Sequence, residues 1–197
     1  MTNESKSKYF LFIIPLVFLS CMAIYSVKPL NLVYAQDTNS SLSTYQNSTY
    51  DITIKYPHNW SIIGSAGVQD TDIDIVTFLS PVQDDNVIVE VHQDKQGNSI
   101  KDIGAYLSSL SSLYKNNIKD FKVIESNTNG FLAGNKAYKL VFTYTTGDGF
   151  RMKDMEIGTL IGNKVYYIIY DGRESVFDNY TPVVQSMADT FKVTPTK

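Results

Sequence analysis

The sequence predicts an α+β domain in which an antiparallel β-sheet is flanked by helices on both faces, an α/β/α sandwich. Short apolar segments separated by Gly-Asn and Gly-Asp-Gly turns are typical of an antiparallel meander. The segment 165–170 is apolar on both faces, so both of its faces need cover. Two segments with helical periodicity, 100–118 and 182–191, supply that cover.

The N-terminal 35 residues differ in character from the rest of the chain. Lys6 and Lys8 precede an apolar run from Tyr9 to Tyr25, which is typical of an export signal, and 33–35 offers a small-residue cleavage site. The alternative is an uncleaved anchor, because the run is at the lower edge of the ~17–25 residues that a membrane helix needs. Both interpretations predict a secreted or extracytoplasmic protein. A polar, flexible spacer is predicted at 36–49.

The folded domain is expected at 50–194, where the sequence contains no cysteine, since Cys21 is the only one in the chain. This excludes a disulfide framework, a thiol nucleophile and a thiolate metal site in the domain. Removing 1–35 changes the formal net charge from −3 to −5, because three Lys and one Glu are lost. An acidic domain without clustered Lys and Arg is not expected to bind nucleic acid. Glycosylation acceptors in an exported chain would be Asn39, Asn47, Asn59 and Asn179.

The domain opens with a half-buried strand that ends at Pro57, because proline cannot donate to a β-ladder. Trp60, the only tryptophan, follows this strand. We expect it in the core, since aromatic residues near strands pack inside more often than they line a groove. The apolar side chains of the strand alternate with polar ones, as a one-sided strand requires: Tyr50, Ile52, Ile54 and Tyr56.

Three further strands are predicted at 60–65, 73–79 and 87–92. The periodicity then changes to three and four, which indicates one apolar face of a helix, and Ser99 with Asp102 predicts a capping box at its start. The apolar residues of this helix are Ile100, Ile103, Leu107, Leu110, Tyr114 and Ile118.

From Lys122 the chain is predicted to form a meander whose long strands lie at 137–145, 150–161 and 165–170. Asp154 and Glu156 lie on the polar face of the second of these strands and are predicted to be exposed. A C-terminal helix is predicted to begin near Pro182, since proline suits a first helical turn. The turns are expected at Gly134-Asn135, Gly147-Asp148-Gly149 and Gly162-Asn163.

The order of these elements resembles the PsbP family over most of 45–193. The resemblance is carried by Tyr56-Pro57 with Trp60, by the stretch 133–140, and by 166–170 with the closing Thr190-Phe191 pair. It implies a Mog1/PsbP-like domain that binds other proteins or a membrane-surface complex; photosynthetic members stabilise calcium and chloride retention at photosystem II. The signal lacks the Arg/Ser-rich character of a chloroplast transit peptide, so a non-photosynthetic relative is expected.

A metal site is one hypothesis for Glu90, His92 and Asp94. Alternate strand residues project from one face about 7 Å apart, and carboxylate with imidazole suits zinc or manganese. The alternative is a solvated strand face whose opposite side, built from valines at 87, 89 and 91, belongs to the core.

A second metal hypothesis concerns Asp70, Asp72 and Asp74, which resemble the first half of a calcium loop. Ile75 at the sixth position and Pro81 at the twelfth exclude an EF-hand. A looser calcium site completed by Asp84 and Asp85 remains one interpretation, and an acidic loop kept soluble by its charges is the other.

The sequence contains no nucleophile elbow, phosphate loop or dinucleotide motif, and its only histidines are His58 and His92. It therefore predicts an exported, non-enzymatic binding or assembly domain without a cofactor, apart from the divalent metal considered above. Two alternatives stay open: a metal-dependent or carboxylate-based hydrolase using His92 or Asp154, and a structural cell-surface component.

Overall fold

The computed structural model describes residues 41–68, 72–81, 88–94 and 102–194, and the side chains at 64–68, 72 and 88–94 lie outside that description. The chain divides into two units, Met1–Gln36 and Asp37–Lys197, and every described residue belongs to the second. The predicted export signal, Asp70, Asp84, Asp85 and Ser99 lie outside the described residues. Among the residues that are described, no helix combines the length and hydrophobicity that crossing a bilayer requires.

The described part forms one large and one small antiparallel sheet with two helices. The large sheet has the strand order β3-β4-β5-β9-β8-β7-β6, and the small one has the order β1-β2-β10. The elements are β1 Leu42–Asn47, β2 Ile52–Pro57, β3 Ser61–Val68, β4 Asp72–Leu79, β5 Ile88–Asp94, α1 Ile103–Asn117, β6 Lys122–Leu132, β7 Asn135–Thr145, β8 Arg151–Ile161, β9 Lys164–Arg173, α2 Phe177–Thr190 and β10 Lys192–Val193.

Both faces of the large sheet are covered by a helix, which confirms the predicted fold class. Helix α1 packs against β6 and β7, and α2 packs against β9 and β2. Each helix closes its own core, so the molecule has two cores separated by the sheet. The sequence did not predict that the opening strand, β2, would pair with β1 and β10 instead of joining the large sheet.

The predicted polar spacer at 36–49 is wrong for its second half, because β1 occupies Leu42–Asn47 and pairs with β2 along its whole length. Tyr45 explains the difference. Its ring meets Phe78 edge-on at 5.9 Å between centroids, and its hydroxyl donates to the Ile75 carbonyl over 3.4 Å. The Tyr45 side chain therefore anchors this polar segment to the core, and pairing with β2 satisfies backbone hydrogen-bonding groups of the segment. Together they make the segment an edge strand.

Helix α2 begins at Phe177, so the predicted start near Pro182 is wrong, and the proline lies inside the helix. Phe177 is buried and stacks on Tyr170 with 4.1 Å between ring centroids. The Tyr170 hydroxyl also donates to the Phe177 carbonyl over 2.8 Å. These contacts fix the first turn of α2 upstream of Pro182. Because proline has no backbone N–H, the helix lacks the hydrogen bond from position 182 to the carbonyl four residues earlier.

The predicted burial of Trp60 is confirmed, whereas the predicted capping box is wrong in position, because α1 begins three residues later, with Asp102 as its N-cap. Trp60 is only 6% exposed and meets Tyr180 edge-on at 6.5 Å between centroids. Asp102 is the N-cap of α1, and its carboxylate accepts a hydrogen bond from the Ala105 N–H over 2.8 Å. This bond satisfies one of the free N–H groups of the first helical turn.

Candidate functional site

The middle of β8 carries two carboxylates on the side of the sheet that α1 covers. Asp154 is 9% exposed and Glu156 is 1% exposed, so the prediction that both face solvent is wrong. The cause is their position in the sheet: β8 lies between β7 and β9, and the layer beside α1 closes over its polar face. Buried carboxylates require hydrogen-bond partners, because burial without them is costly.

Glu156 accepts a hydrogen bond at each of its two oxygens. The Tyr114 hydroxyl donates to Oε2 over 2.9 Å, and the Tyr138 hydroxyl donates to Oε1. Tyr114 lies in the last turn of α1, whereas Tyr138 lies on β7. The carboxylate therefore ties the helix to two strands of the sheet. We call Tyr114, Tyr138 and Glu156 the phenol–carboxylate tie.

Gly158 makes room for this arrangement. It lies directly opposite Tyr138 in the β7–β8 register. A Cβ added at Gly158 would lie 2.3 Å from Cε1 of Tyr138, which is much closer than real Cβ atoms come to other heavy atoms. The Tyr138 ring thus crosses the strand over a glycine, and its hydroxyl reaches Glu156, two residues earlier on β8.

The two phenols of the tie keep their protons. Burial raises the pKa of Tyr114 well above 10, and the negative charge of Glu156 raises it further. Burial likewise raises the pKa of Tyr138, with Glu156 as the next cause. Both hydroxyls therefore remain donors near neutral pH. The arrangement holds a carboxylate in place between two protonated phenols.

Beside the tie, Asp154 faces another carboxylate on the neighbouring strand. Asp154 is opposite Asp171 of β9 in the register, and the Tyr144 hydroxyl donates to Oδ2 of Asp171 over 2.7 Å. Phe142, on the other side of Asp154, belongs to the aromatic core under α1. The α1 side of the sheet thus combines carboxylates with tyrosines.

The two sets of predicted metal ligands meet along the β4–β5 pairing. Asp72 is opposite Asp94, and Asp74 is opposite His92, whose other register partner is Tyr167. Asp74 is buried. The remaining side chains of both sets, including that of Glu90, and the whole of Asp70 lie outside the described structure. Within the residues that are described, no group of three or more His, Cys, Asp or Glu is arranged to hold a metal. Both metal hypotheses stay predictions.

His58 lies in the turn after β2. Its Nδ1 is 3.1 Å from Oγ of Ser43 in an exposed setting.

Sequence reasoning missed the tie, although one signal was present: β8 lies between two strands that are rich in apolar residues on both faces. A polar face on a central strand of that kind has to be covered.

The match to a family of known proteins extends over nearly the whole described region. The PsbP family model matches residues 40–193. Among solved structures, cyanobacterial PsbP (CyanoP) from Synechocystis sp. PCC 6803 superposes with a TM-score of 0.57 at 17% identity, covering 79% of this chain and 94% of its own.

Two other solved structures share the fold at lower identity. LpqN of Mycobacterium tuberculosis, described as involved in cell envelope biogenesis, has a TM-score of 0.53 at 10% identity and covers 79% of this chain and 91% of its own. A Pseudomonas aeruginosa protein of unknown function, described as a putative regulator, has a TM-score of 0.50 at 10% identity, with coverages of 79% and 99%. No curated protein matches the chain in sequence. The family model spans most of the chain, and the chain belongs to the PsbP family.

Proposed function

We propose that this protein is an exported, non-photosynthetic PsbP-like domain that binds another protein or a membrane-surface complex and catalyses no reaction. The observation that carries the proposal is the state of Glu156. It is the least exposed carboxylate among the described residues, and both of its oxygens accept hydrogen bonds from buried phenols.

A catalytic carboxylate needs access to substrate and an acidity suited to proton transfer. Glu156 is closed off by α1 and β7, so its position favours a structural role. Asp154, the residue of the hydrolase alternative, lies next to it in the same covered layer. The family membership favours binding, as the resemblance to PsbP implied.

The two edge strands of the large sheet supply surfaces that suit a protein partner. On β3, Ile62 is 43% exposed and Ile63 is 49% exposed. On β6, at the opposite edge, the values are 41% for Val123 and 52% for Ile124. Edge strands with exposed apolar side chains are common places for contact with another chain.

Affinity capture from the native membrane fraction tests this proposal, with the full-length chain as bait. We expect a reproducible protein partner, and we expect Ile62→Asp/Ile63→Asp or Val123→Asp/Ile124→Asp to reduce its recovery at least tenfold. Glu156→Gln, which keeps the shape of the buried side chain, is expected to retain the partner. Equal recovery with both edge variants would contradict specific binding, and recovery of the chain itself would favour a structural surface component.

A metal-dependent hydrolase is the second candidate, because the β4–β5 register brings Asp74 opposite His92. Under our first proposal, zinc, manganese and calcium leave the melting temperature unchanged. A metal at ~100 times its Kd would add about 2.7 kcal/mol, which is several degrees for a domain of this size. A shift that disappears in His92→Ala would favour the second candidate. A shift that disappears only in Asp72→Asn/Asp74→Asn would place calcium at the acidic segment.

A further inference from the structure

Two hairpins that carry the same triplet, Gly-Asn-Lys, lie side by side at one end of the large sheet. The triplet is 134–136 at the β6–β7 hairpin and 162–164 at the β8–β9 hairpin, and it ends at Lys136 and Lys164. The two hairpins are neighbours because β7 and β8 pair antiparallel, with Ala137 opposite Thr159. We call the segments 130–136 and 161–164 the twin-turn end.

An aromatic side chain projects from this end into solvent. Phe131 is 75% exposed, the most exposed large apolar residue in the described part of the chain. It lies opposite Lys136 in the β6–β7 register. Lys136 and Lys164 are both exposed, and neither segment of the twin-turn end contains an acidic residue.

The opposite end of the sheet has a different charge pattern. Its turn contains Asp148, and Glu174 and Asp178 stand nearby in ion pairs with Arg151 and Lys153. The whole chain has a formal net charge of −3. The two turns of the twin-turn end carry basic residues and no acidic ones, and the acidic residues nearest to Lys164 in the register are Asp94 on β5 and, opposite it, Asp72 on β4. Asp94 ends β5 opposite Val165, on the side of β9 that is away from Phe131.

A tight two-residue turn follows the end of β6, close to Phe131. Two residues, Ala133 at φ 50° and Gly134 at φ 76°, close the β6–β7 hairpin, one position before the predicted Gly134-Asn135 pair. Both residues have positive φ, as the tight hairpin turns that match strand twist require. A short turn has little conformational entropy to lose when it docks.

We propose that the twin-turn end docks on an anionic lipid surface, with Phe131 at the headgroup level and Lys136 and Lys164 on lipid phosphates. Phe is one of the apolar side chains that interfacial segments bury at the headgroup/acyl boundary, and lysines extend an apolar stem while the ammonium stays in the polar layer. A protein pocket is less favoured, because Phe131, Lys136 and Lys164 are spread along one end of the sheet, on β6, β7 and β9, and all three are exposed.

The charge contribution is modest. Each lysine near an anionic membrane contributes a factor of about 5.4, so the pair contributes about 30-fold. Such a contact does not anchor a domain by itself. It would orient a domain that is already held near the membrane, so the inference rests on the proposed export while remaining independent of any protein partner.

Fluorescence of the full-length chain reconstituted with vesicles tests the contact. Phe131→Trp places an indole at the twin-turn end, and Ile62→Trp is the matched control, since Ile62 is exposed at the other end and edge of the sheet. The native Trp60 is buried and supplies a constant background. The vesicles contain brominated phosphatidylcholine, with or without phosphatidylglycerol.

We expect bromine quenching of Phe131→Trp with phosphatidylglycerol present, and no quenching beyond background for Ile62→Trp. Adding Lys136→Gln/Lys164→Gln to the Phe131→Trp chain should lower the ratio of docked to undocked protein about 30-fold. Quenching of Phe131→Trp no greater than that of Ile62→Trp would overturn the proposal, as would quenching that does not depend on anionic lipid. Partner capture that persists while quenching is absent would leave the proposed function standing and refute the lipid contact alone.

Discussion

The two faces of the large sheet are packed by different chemistry. On the α2 face, the core is built mainly from aliphatic side chains and aromatic rings, and its two buried tyrosines, Tyr166 and Tyr170, have no carboxylate among the buried residues of that cluster; α2 and the small sheet cover it together. On the α1 face, tyrosines surround the buried carboxylates of Asp154 and Glu156. The difference shows that one sheet can bury a charged group on one face, provided that the covering helix brings a donor to it.

The two faces should therefore fail for different reasons. Loss of a side chain on the α2 face leaves a cavity, and its cost grows with the volume left empty. Loss of a donor on the α1 face leaves a buried acceptor without its partner, which costs about 1–3 kcal/mol.

The largest expected effect is on the α2 face. Phe177→Ala should lower the free energy of unfolding by about 3–5 kcal/mol, because the ring is 2% exposed and stacks on Tyr170. The ring also supports Lys153, whose Nζ lies 4.8 Å from its centroid. Denaturant unfolding measures the change. The matched control is Phe131→Ala, which removes an exposed ring and should change stability by less than about 0.5 kcal/mol.

A methyl group on the α1 face is expected to have the next largest effect. Gly158→Ala places a Cβ 2.3 Å from Cε1 of Tyr138, so the ring must move. The hydrogen bond from the Tyr138 hydroxyl to Glu156 must then weaken. We expect a loss of about 2–4 kcal/mol, combining overpacking with the weakened hydrogen bond. Gly130→Ala is the control, since a Cβ there meets nothing within 4 Å. Similar unfolding curves for the two variants would refute the packing described for Tyr138.

The third effect appears only at high pH. The pKa values of Tyr114 and Tyr138 are raised in the folded state by burial and by Glu156, so both phenols stay protonated after those of the unfolded chain ionise. Their contribution to the free energy of unfolding is complete below about pH 10. It is lost as the pH rises further, by about 1.4 kcal/mol per pH unit for each tyrosine. Tyr170, whose pKa burial also raises, adds to the loss from the α2 face.

Stability measured against pH in the double variant Tyr114→Phe/Tyr138→Phe isolates the α1 contribution. The variant should be less stable near neutral pH, and its stability should fall less steeply above pH 10. An unchanged alkaline slope would mean that these two phenols ionise together with those of the unfolded chain.

The sequence predicted the sheet and its covering helices because periodicity reports which faces are apolar. The same rule failed at Glu156, since alternation assigns a polar residue to solvent and says nothing about a helix from elsewhere in the chain. Only the placement of Tyr114 by α1 turns that polar face into a buried one. Such long-range pairing leaves no local signal in β8.

The other errors have the same origin. Polar composition at 36–49 predicted a spacer, but pairing with β2 and the single anchor Tyr45 made part of it a strand. The start of α2 was predicted from Pro182, whereas the contact of Phe177 with Tyr170 sets the first turn. Helix caps and turns were predicted to within a few residues of their observed positions, as at Asp102, because their signals involve only a few neighbouring residues.

Hydrogen exchange in Glu156→Gln tests most directly whether the tie holds α1 on the sheet. Glu174→Gln, on the surface with 45% side-chain exposure, is the matched control. We predict that amides of α1 exchange faster in Glu156→Gln, corresponding to about 1–3 kcal/mol of local stability, while those of α2 keep their protection. Unchanged protection of α1, or an equal loss in both helices, would contradict the claim that Glu156 holds α1 on the sheet.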